Sequence, residues 1–448
     1  TGATDIFIAK YDYSGAIKWI AQIGGSGTDT VTKIVIDSSE NLYISGYYSS
    51  DPISFYNSDQ GSAADTQNRV GSYDGFVAKY SSDGVYQWSA TCGGTATDRT
   101  TGVALDTGAN VYVTGYFLSS TLTFYNSDKT ASSSSLTNVN ISDVFIAKYD
   151  NQGNVQWAAQ CAGTGTDRAQ DIDVDGTGNS YITGYYTSDP LTIYNTGGST
   201  FGTLPMGVSL SACAFIVKYN TSGVAQWGAH FECVENTLIR RVSCDANGNV
   251  YTTGNFDMGS LFIYNSDGST SNTLINEGLS DAFIVKLDTT GSFCSAARCS
   301  GTGDEIGYGI FTTGSGALYA TGEYSSDPIE LYNSDDTIFS TRDLGSGVYN
   351  IYVAKYSTND SGGRVVPIAP PSVGGVVTTL AGTAGAYGTT DGTGSAARFT
   401  QPYSLAYVGP DSLYVCDSQN NTIRKIVIST GVVTTFAGTA GAPGATDD

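Results

Sequence analysis

One seven-residue phrase recurs six times along this chain: DIFIAKY at 5–11, DGFVAKY at 74–80, DVFIAKY at 143–149, CAFIVKY at 213–219, DAFIVKL at 281–287 and NIYVAKY at 350–356. Its lysines, Lys10, Lys79, Lys148, Lys218, Lys286 and Lys355, stand 69, 69, 70, 68 and 69 residues apart. A near-constant period marks a repeat architecture, in which no unit buries its own apolar face and each stacks on its neighbours.

The first unit reads as short strands. DIFIAKY leads through a turn at Tyr13-Ser14-Gly15 into IKWIAQI, where Ile17, Trp19, Ala21 and Ile23 share a period-2 face. GGSGTD at 24–29 feeds VTKIVID at 31–37, and the turn SSEN leads into LYISGYY at 42–48. An outer segment, PISFYNSD at 52–59, and a polar insert precede the next copy. The parts recur at fixed offsets: Trp19, Trp88, Trp157 and Trp227; Gly46, Gly115, Gly184, Gly254 and Gly322; Tyr56, Tyr125, Tyr194, Tyr264 and Tyr332. Four short antiparallel strands per repeat describe an all-β β-propeller blade, with the tryptophans as blade-core anchors.

The succession D-x-F-[IV]-A-K-Y, W, G-G-x-G-T-D, I-x-x-D-x-x-x-N-x-Y-x-x-G-Y resembles the SBBP beta-propeller repeat over about residues 5–356. That resemblance implies a secreted or cell-surface protein. Beyond Pro370 the pattern changes, and GGVVTTLAG to VVTTFAGTAG, with Leu380 and Phe436 56 residues apart, is similar to an NHL repeat, itself a propeller blade. Residues 1–369 are therefore expected to hold five SBBP-type repeats, and 370–448 an NHL-like blade closing the same propeller. Joining the strand pair before each insert to the pair after it makes blades of 31–48 with 74–91, 100–117 with 143–160, 169–186 with 212–230 and 237–256 with 281–298. A fifth joins 306–324 to 350–356 with VVTTLAG at 376–382 as its outer strand, and 403–437 supplies a sixth. The segment 5–23 is left as a half-blade, completed by chain outside this sequence or by another molecule.

Lysine and arginine total 20 against 42 acidic residues, a net charge of -22. Nucleic acid and anionic membrane are excluded as partners, because both demand a basic footprint. No apolar run reaches the length of a bilayer span. Eight cysteines, Cys92, Cys161, Cys213, Cys233, Cys244, Cys294, Cys299 and Cys416, contain no C-x-x-C pair, and the single histidine argues against structural zinc. The even cysteine count suggests disulfides, Cys233 with Cys244 and Cys294 with Cys299 being nearest in sequence. Sequons at Asn140, Asn220, Asn359 and Asn420 mark candidate glycosylation sites and, with the cysteines, an extracellular setting.

Few residues invite chemistry. Asp29, Asp98, Asp167 and Asp304 end the turns that feed successive blades, where converging carboxylates could hold Ca²⁺ or simply bond their own backbone. Asp37, Asp106, Asp175 and Asp245, each four residues before an asparagine, fit hairpin turns; the closing glutamate of an EF-hand is absent. His230 aligns with Gln22, Thr91, Gln160 and Arg298, which reads as an outward-facing polar strand position. The repeat lysines are expected to lay their stems on apolar surface, and the YNSD tyrosines to mark either packing or an exposed contact.

No constellation assembles a nucleophile with a base, and the outermost segments are as alike as the strands. The expectation is a non-enzymatic, glycosylated extracellular structural or interaction protein, a subunit of a surface layer, appendage or filament, assembling by strand complementation at the half-blade. Its partners would be protein, including itself, or glycans, with no cofactor unless Ca²⁺. The alternatives are a carbohydrate- or ligand-binding propeller module and, last, a propeller hydrolase or lyase.

Overall fold

A computed structural model of the chain describes residues 2–12, 16–59, 61–207, 209, 211–312, 317–334, 336–342, 350–357, 366–367, 381–382, 386–400, 402–408 and 411–441. Among these the chain is all-β, with two single-turn 3₁₀ segments and no α-helix. It divides into two compact units: Thr1–Tyr251 with Ser260–Thr273 and Leu287–Phe293, and Thr252–Gly259 with Leu274–Lys286 and Cys294–Asp448.

The first unit begins with β1 (Ile6–Tyr11), β2 (Ile17–Gly24), β3 (Asp29–Ile36), β4 (Leu42–Tyr48), β5 (Ile53–Phe55), β6 (Asp65–Gln67), β7 (Asp74–Tyr80) and β8 (Tyr86–Gly93). It continues with β9 (Asp98–Leu105), β10 (Val111–Phe117), β11 (Thr121–Tyr125), β12 (Ala131–Thr137), β13 (Asp143–Tyr149), β14 (Val155–Ala162), β15 (Asp167–Val174) and β16 (Ser180–Tyr186). Then come β17 (Leu191–Tyr194), β18 (Thr200–Leu204), β19 (Cys213–Tyr219), β20 (Ala225–Glu232), β21 (Thr237–Cys244), β22 (Val250–Asp257), which belongs to the second unit from Thr252 on, β23 (Ser260–Tyr264) and β24 (Thr270–Ile275). The sheets run β1-β2-β5-β6, β3-β4-β7-β8-β11-β12, β9-β10-β13-β14-β17-β18 and β15-β16-β19-β20-β23-β24. Every blade core is thus the predicted pair before an insert joined to the pair after it. The inserts add what the strand count did not contain: each forms an outer hairpin on the preceding sheet, extending four strands to six. The segment 5–23 pairs as a half-blade, β1 with β2, and gains the first insert as its outer hairpin.

In the second unit β25 (Ser280–Leu287), β26 (Phe293–Ser300), β27 (Glu305–Thr312), β28 (Ala317–Tyr324), β29 (Ile329–Tyr332), β30 (Ile338–Arg342), β31 (Asn350–Ser357) and β32 (Val366–Pro367) follow the same scheme. Within this unit the strands run β22-β25-β26-β29-β30, the part of a six-stranded sheet that lies here, and β27-β28-β31-β32. Val366–Pro367 pairs with β31; of the expected outer strand 376–382, residues 376–380 lie outside the described residues. The last sheet contains β33 (Gly392–Thr393), β34 (Pro402–Val408), β35 (Ser412–Asp417), β36 (Thr422–Val427) and β37 (Val432–Ala437) in the order β33-β37-β36-β35-β34. Its small core is Ala397, Leu413, Ile426 and Val433. Arg424, fully buried, bonds Asp417 at 3.1 Å and Asp391 at 2.7 Å.

Interior strands such as β13 are buried on both faces, whereas the sequence suggests a one-sided alternation. Sheets stacked on either side remove water from both faces. What joins one sheet to the next is a repeated contact set. The indoles of Trp19, Trp88, Trp157 and Trp227 each donate, at 3.0 Å, to the carbonyl of Ser82, Asn151, Thr221 or Thr289 in the following sheet's hairpin turn. That turn's glycine, Gly84, Gly153, Gly223 or Gly291, has φ between 76° and 82°, and a Cβ there would come within 2.7 Å of the indole. The turn therefore requires glycine twice, for backbone and for space. The asparagines of the outer segment, Asn57, Asn126, Asn195 and Asn265, accept the amides of Tyr86, Val155, Ala225 and Phe293 at 2.7–2.9 Å. Each such bond contributes about 1 kcal/mol and each buried indole about 2–3 kcal/mol.

Candidate functional site

The aspartates at the starts of the inner strands do not converge. Asp29 accepts Ser50 Oγ, Asp98 accepts Ser119 Oγ and Asp167 accepts Ser188 Oγ, all at 2.6 Å and each within its own sheet. Asp304 is displaced by one residue from this series: its register partner matches that of Thr28, Thr97 and Thr166, and Glu305 holds the carboxylate position, bonded to Ser326. The GTGDE sequence had placed the wrong acid in line. Among the described residues no three His, Cys, Asp or Glu side chains gather into a metal-holding group, so the Ca²⁺ ring is corrected to turn-capping carboxylates.

A second buried acid opposes Asp98, Asp167 and Glu305. Asp74, Asp143 and Asp281, the first letters of the repeated phrase, cap the loop before their strands, accepting amides of Val70, Val139 and Glu277. Burial pushes Asp74, Asp281 and Asp167 up to about 6 and Asp143 and Glu305 to about 7; the neighbouring carboxylate adds to this for Asp74, Asp143 and Glu305. Where Cys213 and Thr237 replace both acids, Glu232 on the facing strand supplies a carboxylate instead. It reaches Gly207 and accepts Tyr264 Oη at 2.5 Å. The equivalent Gly24 and Gly93 leave room for Asp5 and Asp74.

Asp37, Asp106, Asp175 and Asp245 are turn residues, as read: each accepts the asparagine amide four residues on, at 2.9–3.0 Å, and the hydroxyl of Tyr43, Tyr112, Tyr181 or Tyr251. Those bonds, outweighing desolvation, lower the first three carboxyls. The repeat lysines lie along the tyrosines, Lys79, Lys148 and Lys218 standing 4.9, 4.7 and 5.1 Å from the ring centres of Tyr43, Tyr112 and Tyr181. Lys10, Lys148 and Lys218 reach the same turn carbonyls as the indoles.

His230 is a correction. It is only 3% exposed, because the outer hairpin covers its strand, and its ring stacks on Tyr264 at 4.3 Å and 8°. Desolvation lowers it to about 4, so the imidazole is neutral. Arg298 occupies the same place in the second unit, 3.7 Å from the ring centre of Tyr332 and paired with Glu277 and Asp336.

The cysteines form no disulfide. Cys92, Cys161 and Cys299 stand where Ile23 and Phe231 stand in other repeats, and Cys244 where Leu105 and Val174 stand, so they serve as small apolar core residues. Burial raises Cys161 and Cys299 to about 12. Of the sequons, Asn140 is exposed, its amide nitrogen donating to the Thr164 carbonyl at 2.8 Å in reach of solvent, and Asn220 heads a hairpin turn; Asn359 lies outside the described residues. Asn420 is buried and its amide nitrogen donates to Gly388 and Asp417, which removes it as a glycan acceptor.

The inner strands are where the repeats differ. Four residues after the capping acid stand Lys33, Gly102, Asp171, Arg241 and Gly309. Lys33 Nζ meets Asp171 Oδ1 at 2.6 Å and the Ile172 carbonyl at 2.8 Å, while Asp171 and Asp173 accept the amides of Val242 and Cys244. Aligning the repeats column by column exposes this divergence, but only the packing of β3, β15 and β21 brings its members together.

The SBBP beta-propeller repeat matches residues 18–52, a stretch spanning the tryptophan strand, the turn and the inner hairpin. A curated relative, the uncharacterized WD repeat-containing protein L264 of Acanthamoeba polyphaga mimivirus, is 27% identical over 395 residues. The match takes in 75% of this chain and 27% of that protein, so the chain spans about a quarter of the relative's length. Similar solved structures include a protein of unknown function from Bacteroides caccae (9% identity, TM-score 0.32, 80% of this chain and 89% of that one). Two others are YCF48 bound to D1 peptide (10%, 0.33, 97% and 87%) and virginiamycin B lyase from Staphylococcus aureus (8%, 0.27, 75% and 83%). At such TM-scores none bears on what this chain does. The chain thus carries an SBBP beta-propeller repeat at 18–52, and the strand pairs and joints of that stretch recur from sheet to sheet.

Proposed function

We propose that this chain is a non-catalytic extracellular scaffold, glycosylated at Asn140 and Asn220, that acts by holding protein partners, itself included, in a rigid array. The observation that carries this reading is the use to which the repeated residues are put. Tryptophan, turn glycine, outer asparagine and lysine all join one sheet to the next, and the repeated acids cap turns, so the signature is mechanical. His230, the one imidazole, is spent beneath Tyr264.

Association would use the edge of β1, which has no partner strand on its outer side among the described residues. Phe7 there is 74% exposed, while its counterparts Phe76, Phe145, Phe215, Phe283 and Tyr352 are at most 6% exposed. In complete sheets that ring lies over the glycine of the adjoining inner strand, Phe76 over Gly46 and Phe145 over Gly115. An added strand would restore this contact and the backbone ladder. Electron microscopy and light scattering of the purified chain test the reading. Strings or oligomers that Phe7→Lys dissolves are expected; discrete monomers at all concentrations would sink it.

A further inference from the structure

Two arginines of the inner strands lie against phenol rings where a carboxylate would be expected in so acidic a chain. Arg99 and Arg168 follow the capping aspartates of β9 and β15, where the other repeats carry Thr30, Leu238 and Ile306. Neither guanidinium forms a salt bridge among the described residues, and the Nε of each is buried without a hydrogen-bond partner. They lie instead against tyrosines. Arg99 stands 4.4 Å from the ring centre of Tyr47 and 4.9 Å from that of Tyr73; Arg168 stands 4.5 Å from that of Tyr116.

Strand register turns these contacts into a ladder. Arg99 is directly opposite Tyr116 across β9 and β10, and Arg168 opposite Tyr185 across β15 and β16, so each pair shares a face at about 5 Å between Cβ atoms. Each arginine also reaches the tyrosine of the sheet before it. The order is Tyr47, Arg99, Tyr116, Arg168, Tyr185, cation and phenol alternating across three sheets. Tyr116 is the covered rung, whereas Tyr47, Arg99, Arg168 and Tyr185 are half-buried.

We propose that this ladder is a binding site for a saccharide carrying carboxylates. A guanidinium lying over a tyrosine ring, with no carboxylate of its own, can turn an N–H edge to a planar oxyanion and grip it bidentately. Phenol faces suit the apolar face of a pyranose, and their hydroxyls suit its hydroxyl groups. The net charge of -22 opposes any densely anionic polymer, but at physiological salt screening confines that repulsion to about 8 Å. The ligand is therefore a short oligosaccharide, whose few carboxylates meet the two guanidiniums directly. A purely structural clamp between sheets would need the planar stacking and would take up no saccharide, so the two roles separate in a titration of the unaltered chain.

The test is calorimetric titration of trigalacturonate, its methyl ester and a triglutamate peptide into the chain at physiological salt. Saturable binding of the free acid is expected, weaker by roughly tenfold or more for the ester. Arg99→Lys and Arg168→Lys, which keep a positive charge near the ring but lose the planar fork, should each weaken it by a similar factor while the chain stays folded at the titration temperature; Tyr185→Phe serves as a second, fold-preserving variant with reduced binding. No saturable binding of trigalacturonate, equal binding of the ester, undiminished binding by the lysine variants, or preference for the peptide would each overturn the assignment.

Discussion

Replacing Gly153 by alanine tests whether the joints between sheets, and not the strands alone, hold the repeats together. Gly153 has φ +82°, and an alanine Cβ would lie 2.7 Å from Trp88 Cε3 and 2.9 Å from Ser127 Cβ. A left-handed backbone costs alanine about 1–2 kcal/mol. Forcing an extra methyl into packed surface costs about 1–3 kcal/mol more. Gly197 separates the two contributions, because its φ is +81° and nothing lies within 4 Å of its Cβ position. Gly197→Ala should therefore show only the backbone cost, and Gly153→Ala about 3 kcal/mol in all. Urea unfolding followed by tryptophan fluorescence measures both. Repeating Gly153→Ala on a Trp88→Ala background should recover about 1–2 kcal/mol, since the indole it strikes is gone. Equal losses for the two glycines, or additivity to within about 0.5 kcal/mol in the double variant, would refute the joint as described.

The carboxyls of Asp74, Asp143, Asp167, Asp281 and Glu305 are raised on folding to about 6–7. Their contribution to stability is full below the unfolded value near 4 and is lost as pH rises through the folded values, so the melting midpoint should fall between pH 5 and 8. Asp143→Asn should flatten that slope, and a midpoint rising over this range would contradict it. Below about pH 4 the lowered carboxyls of Asp37, Asp106 and Asp175 reverse the trend, because their contribution disappears on protonation. His230, the one histidine, should show no imidazole titration by NMR from pH 8 down to about 5, given its shift to about 4; a midpoint near 6.5 would place it in water. Thiol assay without reductant should count eight thiols in denaturant, with exposed Cys416 reacting first in the native chain; six or fewer in denaturant would restore a disulfide.

The lysine spacing made the blade cores legible because a strand pair is a local event: a turn, a period-2 face and a glycine suffice to specify it. The outer hairpins were not legible as strands. ASSSSLT at 131–137 has one apolar side chain of size, yet it forms β12, since β11 offers it a free edge. The single-residue step from Asp304 to Glu305 was invisible for a related reason, as only pairing against β28 decides which acid faces Ser326. Cysteine parity misled because a buried thiol and a buried isoleucine leave the same mark in a repeat. The ladder of Arg99 and Arg168 needed the register of two sheets and the stacking of a third.

By itself the sequence determined that this chain is built of blades and where each begins, because every turn, tryptophan and glycine of the repeat acts within a few residues or on the next copy. Tertiary structure decided which residues remain available. Phe7 is exposed and Phe76 buried although their phrases match, because burial depends on the strand laid alongside. The same holds for His230 and the unpaired arginines: charge and identity are written in the chain, while desolvation and partnership exist only once neighbouring sheets close over them.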